Sequence, residues 1–160
     1  MPDLLTLAAS QPLRTLAPGE ILITEGGETG GTIYVLESGS LTVERGGVAL
    51  ASITQRNALV GEMSLLLGTR NSATVRAAGI ATVRTIFNAD RQVTQDPELS
   101  LHVATLLAAR LERTSALLVE MSKKHPGKSE RGLLASIFSA LTSSSDDVRE
   151  INRKDWFEPN

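Results

Sequence analysis

Between Pro12 and Phe87 the apolar runs are short, and nearly every one ends at a turn former: Pro18-Gly19, Gly26-Gly27, Gly30-Gly31, Ser38-Gly39, Gly46-Gly47 and Gly79. Each such pair punctuates the backbone, so long helices cannot be threaded through this stretch. Strands can. The runs predict strands near Leu13–Leu16, Ile21–Thr24, Thr32–Glu37, Ser40–Glu44, Val48–Ile53, Ser72–Ala77 and Ile80–Ile86. Short strands repeated about every 8–12 residues point to a sandwich or barrel. Leu41 and Val43 alternate with Thr42 and Glu44, which predicts a strand with one buried face.

Helical pattern brackets this region. Residues 1–10 read as a short amphipathic helix. Within the β-rich stretch, Gly61–Leu67 is unbranched and helix-friendly, and reads as one helical turn inserted between strands. After Asn88 the texture becomes helical. Asp96 is a suitable N-cap for a helix opening at Pro97 and running to Lys124. Leu107, Leu111, Thr114, Leu118 and Met121 recur at spacings of four and three down one face, and Lys123 and Lys124 suit the C-terminal end. Pro126-Gly127 stops the helix. Residues 1–127 are therefore expected to form the main domain, with 128–160 as a tail. That tail is expected to hold a helix at Glu130–Leu141 capped by Ser129. Trp156 and Phe157 are expected to dock on this domain or on a second copy.

Composition removes several function classes. Lys plus Arg number 16 against 18 Asp plus Glu, a net charge of −2, and no basic stripe is visible, which argues against direct nucleic-acid binding. The absence of cysteine excludes disulfides, thiolate metal sites and cysteine nucleophiles, and fits a cytoplasmic protein. The two histidines, His102 and His125, fall on helical segments rather than clustering on strands, so no metal site and no catalytic set emerges. The expected protein is not an enzyme. No apolar stretch approaches the roughly 20 residues of a membrane span.

The informative segment is Gly61-Glu62-Met63-Ser64-Leu65-Leu66-Leu67-Gly68-Thr69-Arg70-Asn71-Ser72-Ala73-Thr74-Val75. It resembles the phosphate-binding cassette of cyclic-nucleotide-binding domains, as found in catabolite-activator-type regulators and protein-kinase regulatory subunits. Gly19-Glu20-Ile21-Leu22 with Glu25-Gly26, and Ile33-Tyr34-Val35-Leu36 with Ser38-Gly39-Ser40-Leu41, are similar to the family's early strands and hairpins. The resemblance implies a mainly β fold: a jelly-roll barrel of about eight short strands, a short helical phosphate-binding turn and C-terminal helices. It implies cAMP as ligand, with cGMP as the other choice.

Physical chemistry gives the cassette residues their roles. The first N–H groups of a helical turn, here around Glu62, Met63 and Ser64, lack intrahelical partners and suit an anion. Gly61 lets the backbone approach a ligand. The resemblance implies that Glu62 accepts from the ribose 2′-hydroxyl, that Ser72 contacts the phosphate, and that Thr114-Ser115 contacts the adenine. The family motif runs R-x-A-x-V, and here Asn71 stands at the arginine position, with Ala73 and Val75 following in step. Arg70 comes one residue early, so strand alternation predicts that it points away from the phosphate unless a bulge re-aims it. The expected function is a regulatory module that senses a cyclic nucleotide through its C-terminal helices. The alternative is a ligand-independent module of the same fold, meeting a protein partner or a second copy through the long helix or tail.

Overall fold

A computed structural model of the chain describes residues 3–124 and Gly132. The expected tail helix, Trp156 and Phe157 lie outside the described residues. Two compact units are present, one ending at Leu99 and the next beginning at Ser100.

The first unit is a two-layer β sandwich. Strands β1 (Leu13–Leu16), β2 (Ile21–Ile23), β3 (Ile33–Ser38), β4 (Leu41–Arg45), β5 (Val48–Ile53), β6 (Leu59–Val60), β7 (Thr74–Ala77) and β8 (Ala81–Ile86) form two sheets of four. One runs β1-β8-β3-β6 and the other β2-β7-β4-β5, every pairing antiparallel. This is the jelly-roll-like arrangement of about eight strands that the family resemblance implies.

The core lies between the sheets. Leu16, Leu36, Val60, Ala81 and Val83 come from the first sheet, and Leu22, Leu41, Val75 and Ala77 from the second. Alternation holds in β4: Leu41 is fully buried and Val43 packs against the core. The first sheet is also covered on its other side, because helix α1 (Leu4–Leu7) packs on β3 and buries Leu4 and Leu5. Ile33 and Val35 are consequently buried as well as Leu36, so β3 reads as a continuous apolar run rather than an alternating one.

Asn57, at a left-handed φ of 71°, joins this layer to the strands. Its Oδ1 accepts from Leu5 N at 3.0 Å, and its own N–H donates to Leu36 O at 2.9 Å. Asp3 caps α1 by accepting from Thr6 N at 2.7 Å.

Three differences from the sequence expectation go beyond one residue at an element's end. Strand β6 is an addition, too short to show periodicity. The N-terminal helix spans only Leu4–Leu7 rather than most of residues 1–10. Strand β7 begins at Thr74, two residues later than expected. Helices α2 (Glu62–Leu67) and α3 (Ala89–Gln95) precede the long helix α4 (Pro97–Lys124), which opens as expected, with Asp96 Oδ1 accepting from Glu98 N and Leu99 N at 3.0 and 3.1 Å.

Candidate functional site

The cassette is a six-residue helix held between two left-handed glycines. Gly61 precedes it at φ 93° and Gly68 follows it at φ 63°. An L side chain at either position is strained. At Gly61 there is a second reason. A Cβ there would sit 3.3 Å from Ile23 Cδ1 and 3.4 Å from Thr32 O, so a side chain would also crowd its neighbours. Gly68 ends the helix by donating to Leu65 O at 3.2 Å, and Thr69 N donates to Ser64 O at 3.0 Å, a Schellman-type close.

Glu62 opens α2 and is only 3% exposed; Ser64, one turn position on, is 6% exposed. They are two of three buried polar or charged residues among those described, the other being Thr85. A carboxylate is rarely buried to this degree without partners. At the first turn of a helix it also complements the dipole. Met63 between them is exposed. Thus the structure brings Gly61, Glu62, Met63 and Ser64 together as one turn, with Glu62 and Ser64 turned inward and Met63 outward.

Beyond Gly68 the chain crosses to the β2–β3 loop. Arg70, Asn71, Ser72 and Ala73 precede β7 and belong to no strand, so the alternation argument does not reach Arg70. The Arg70 side chain is exposed and its Nη1 donates to Gly26 O at 3.0 Å. A register shift does occur nearby, in the β2–β7 pairing between Ile21 and Ile23, but it lies opposite Val75 and Arg76. The Asn71 amide nitrogen donates to Thr24 O at 3.2 Å and Glu28 O at 3.4 Å. Its backbone pairs with the same loop: Asn71 N donates to Gly27 O and Gly26 N to Asn71 O, both at 2.8 Å. Ser72 is exposed. These loop contacts of Asn71 are what sequence reasoning missed.

Thr114 and Ser115 lie in α4 within the second unit. There the Thr114 hydroxyl donates to Arg110 O at 2.9 Å, a local helix bond. Among the described residues no cluster of three His, Cys, Asp or Glu side chains is placed to hold a metal ion, and no helix is long and apolar enough to cross a membrane.

The first unit is thus a small sandwich domain with a short-helix cassette inserted before its seventh strand. The model of the cyclic nucleotide-binding domain matches residues 13–92, and the chain belongs to that family. It is similar to the Thermus thermophilus catabolite activator protein, at 28% identity and a TM-score of 0.60, over 74% of this chain and 58% of that one. It is also similar to the N-terminal domain of a transcriptional regulator from Streptomyces coelicolor A3(2), at 26% identity and a TM-score of 0.52, over 68% of this chain and 81% of that one. A cAMP-binding acyltransferase from Mycobacterium smegmatis shares the fold, at 24% identity and a TM-score of 0.55, over 68% of this chain and 35% of that one. The chain therefore spans little more than half of the Thermus protein. No curated protein matches it in sequence.

Proposed function

We propose that this chain is a non-catalytic regulatory module that binds a cyclic nucleotide and passes occupancy on through α4 and the tail at 128–160. The observation that carries the reading is Glu62, buried at the head of a helix set between two left-handed glycines. A buried acceptor beside helix N–H groups suits a ligand that carries a hydroxyl next to a phosphate. A ribose cyclic phosphate is such a ligand. The Thr114-Ser115 pair favours cAMP over cGMP through its resemblance to the adenine-contacting pair of catabolite-activator helices. The cysteine-free sequence suits a cytoplasmic setting.

Affinity is expected to be low. Truncating one partner of a buried charged pair costs about 2–5 kcal/mol, roughly 30- to several-thousand-fold. Asn71 stands where the family has arginine, and both protons of its amide face backbone carbonyls, leaving no donor to offer a phosphate in this arrangement. This same observation favours a second reading, a ligand-independent interaction module. Such a module would use the α4 stripe, in which Leu111 is 44% and Met121 57% exposed.

Calorimetric titration with cAMP and cGMP separates the two. Saturable heat with one site per chain supports the sensor. No heat at millimolar nucleotide, together with a dimer or a captured partner lost on Leu111→Glu, supports the interaction module.

A further inference from the structure

We propose that Asn71 is a positioning residue, an internal clamp that holds the Thr24–Glu28 loop across the exit of the cassette. The inference goes beyond the ligand reading and does not depend on it.

Six hydrogen bonds join this loop to residues 70–74. Asn71 Nδ2 spans it, reaching Thr24 O and Glu28 O at 3.2 and 3.4 Å. The Asn71 backbone makes a reciprocal pair with Gly26 and Gly27 at 2.8 Å each way. Arg70 Nη1 holds Gly26 O at 3.0 Å. Glu25 N donates to Thr74 Oγ1 at 3.0 Å. The fit around the amide is close: a Cβ on Gly27 would lie 3.5 Å from Asn71 Nδ2 and 3.1 Å from Thr24 O. An amide is the right group for this place, because its nitrogen carries two protons and the loop presents two carbonyls. A carboxylate offers no proton to either of them.

The loop passes the constraint on. Glu25 Oε2 accepts from Gly46 N at 2.9 Å, in the turn between β4 and β5. Fixing the loop through Asn71 therefore also fixes the carboxylate that caps this hairpin. The cassette exit, the loop and the hairpin turn are thus joined through contacts centred on Asn71.

The test is amide exchange and NMR on the ligand-free full chain. Asn71→Ala is expected to lower protection of the Gly26 and Asn71-position amides at least tenfold and to shift the Gly46 resonance, while core amides of β3 and β8 keep their protection. In Asn71→Asp, protection is expected to be lost at neutral pH and partly regained as the introduced carboxyl is protonated and becomes a donor. The wild type, whose loop carries the carboxyls of Glu25 and Glu28, is measured over the same range as the reference. Unchanged protection in Asn71→Ala, uniform loss extending to β3 and β8, or a pH-independent Asn71→Asp would each overturn the clamp. A cAMP titration of the same wild-type sample that shows no binding would overturn the sensor reading while leaving these measurements intact.

Discussion

Arg84 on β8 grips Glu37 on β3 with two nitrogens, Nε to Oε2 at 3.1 Å and Nη2 to Oε1 at 3.4 Å. Glu37 sits at a register shift, since Leu36 pairs with Val83 and Ser38 with Thr82, leaving no partner opposite it in the ladder. The remaining arm of Arg84, Nη1, reaches Gln11 O at 3.1 Å and Ala9 O at 3.4 Å. One guanidinium thus joins a sheet bulge to the segment leading from α1 into β1. Arg84→Ala is expected to destabilise the protein by about 1–3 kcal/mol, the range for hydrogen bonds to charged groups. Glu37→Gln is expected to cost less, because the backbone carbonyls remain. Urea denaturation of both variants checks the order.

Two glycines separate backbone strain from steric conflict. Gly19 and Gly39 have similar left-handed φ values, 78° and 84°. A Cβ on Gly19 meets nothing within 4 Å, whereas one on Gly39 would lie 2.7 Å from Ala81 Cα and press on Ile80 O. Gly19→Ala is expected to cost about 1–2 kcal/mol for the left-handed conformation alone. Gly39→Ala is expected to cost at least about 2 kcal/mol more, in line with overpacking against backbone. Equal melting temperatures for the two variants would contradict the β3–β4 turn geometry.

Glu20 gives the protein one source of acid sensitivity. Its carboxylate accepts from Ala17 N and from Arg14 Nη2, both at 2.9 Å, and these bonds hold its pKa below the ordinary value of 4.5. The folded state therefore favours the charged form. The resulting stabilisation is complete above the ordinary value and is lost as pH falls through the lowered one. Glu20→Gln is expected to lower stability near neutrality and to flatten its fall below pH 4.5, so that the two proteins converge at low pH. Chemical denaturation at several acidic pH values measures it.

For the ligand site, Glu62→Gln is expected to weaken cAMP binding by about 1–3 kcal/mol. The 2′-deoxy analogue is expected to lose a similar amount against wild type and little against the variant. Equal affinity of wild type for cAMP and its 2′-deoxy form would remove Glu62 from ribose recognition.

The sandwich was legible because its turns are written in glycine, and because Asp96 and Pro97 mark the start of α4 in adjacent positions. Strand β6 was not, since Leu59 and Val60 are two residues between the left-handed Asn57 and Gly61. Within the cassette, Gly61, Glu62 and Ser64 stood out through the motif they share with the family. Asn71 could not be understood that way. Its amide partners, Thr24 and Glu28, lie 47 and 43 residues away, and nothing in the sequence near Asn71 announces them. Strand β7 begins only at Thr74, so an alternation argument carried back to Arg70 ran through residues that belong to no strand.

Strand β5 closes the second sheet at one side, and its sequence is Val48-Ala49-Leu50-Ala51-Ser52-Ile53. It carries none of the lysines or prolines that commonly blunt such an edge. Val48 and Leu50 are 61% and 60% exposed, and Leu50 sits at a register shift, since Val43 pairs with Ala51 and Glu44 with Ala49, so a bulge is the one protection this edge carries. The practical stake is colloidal. In concentrated solution this exposed apolar rim is where one molecule is expected to template onto the next. Leu50→Lys is expected to raise the concentration at which light scattering sets in while leaving the unfolding midpoint almost unmoved.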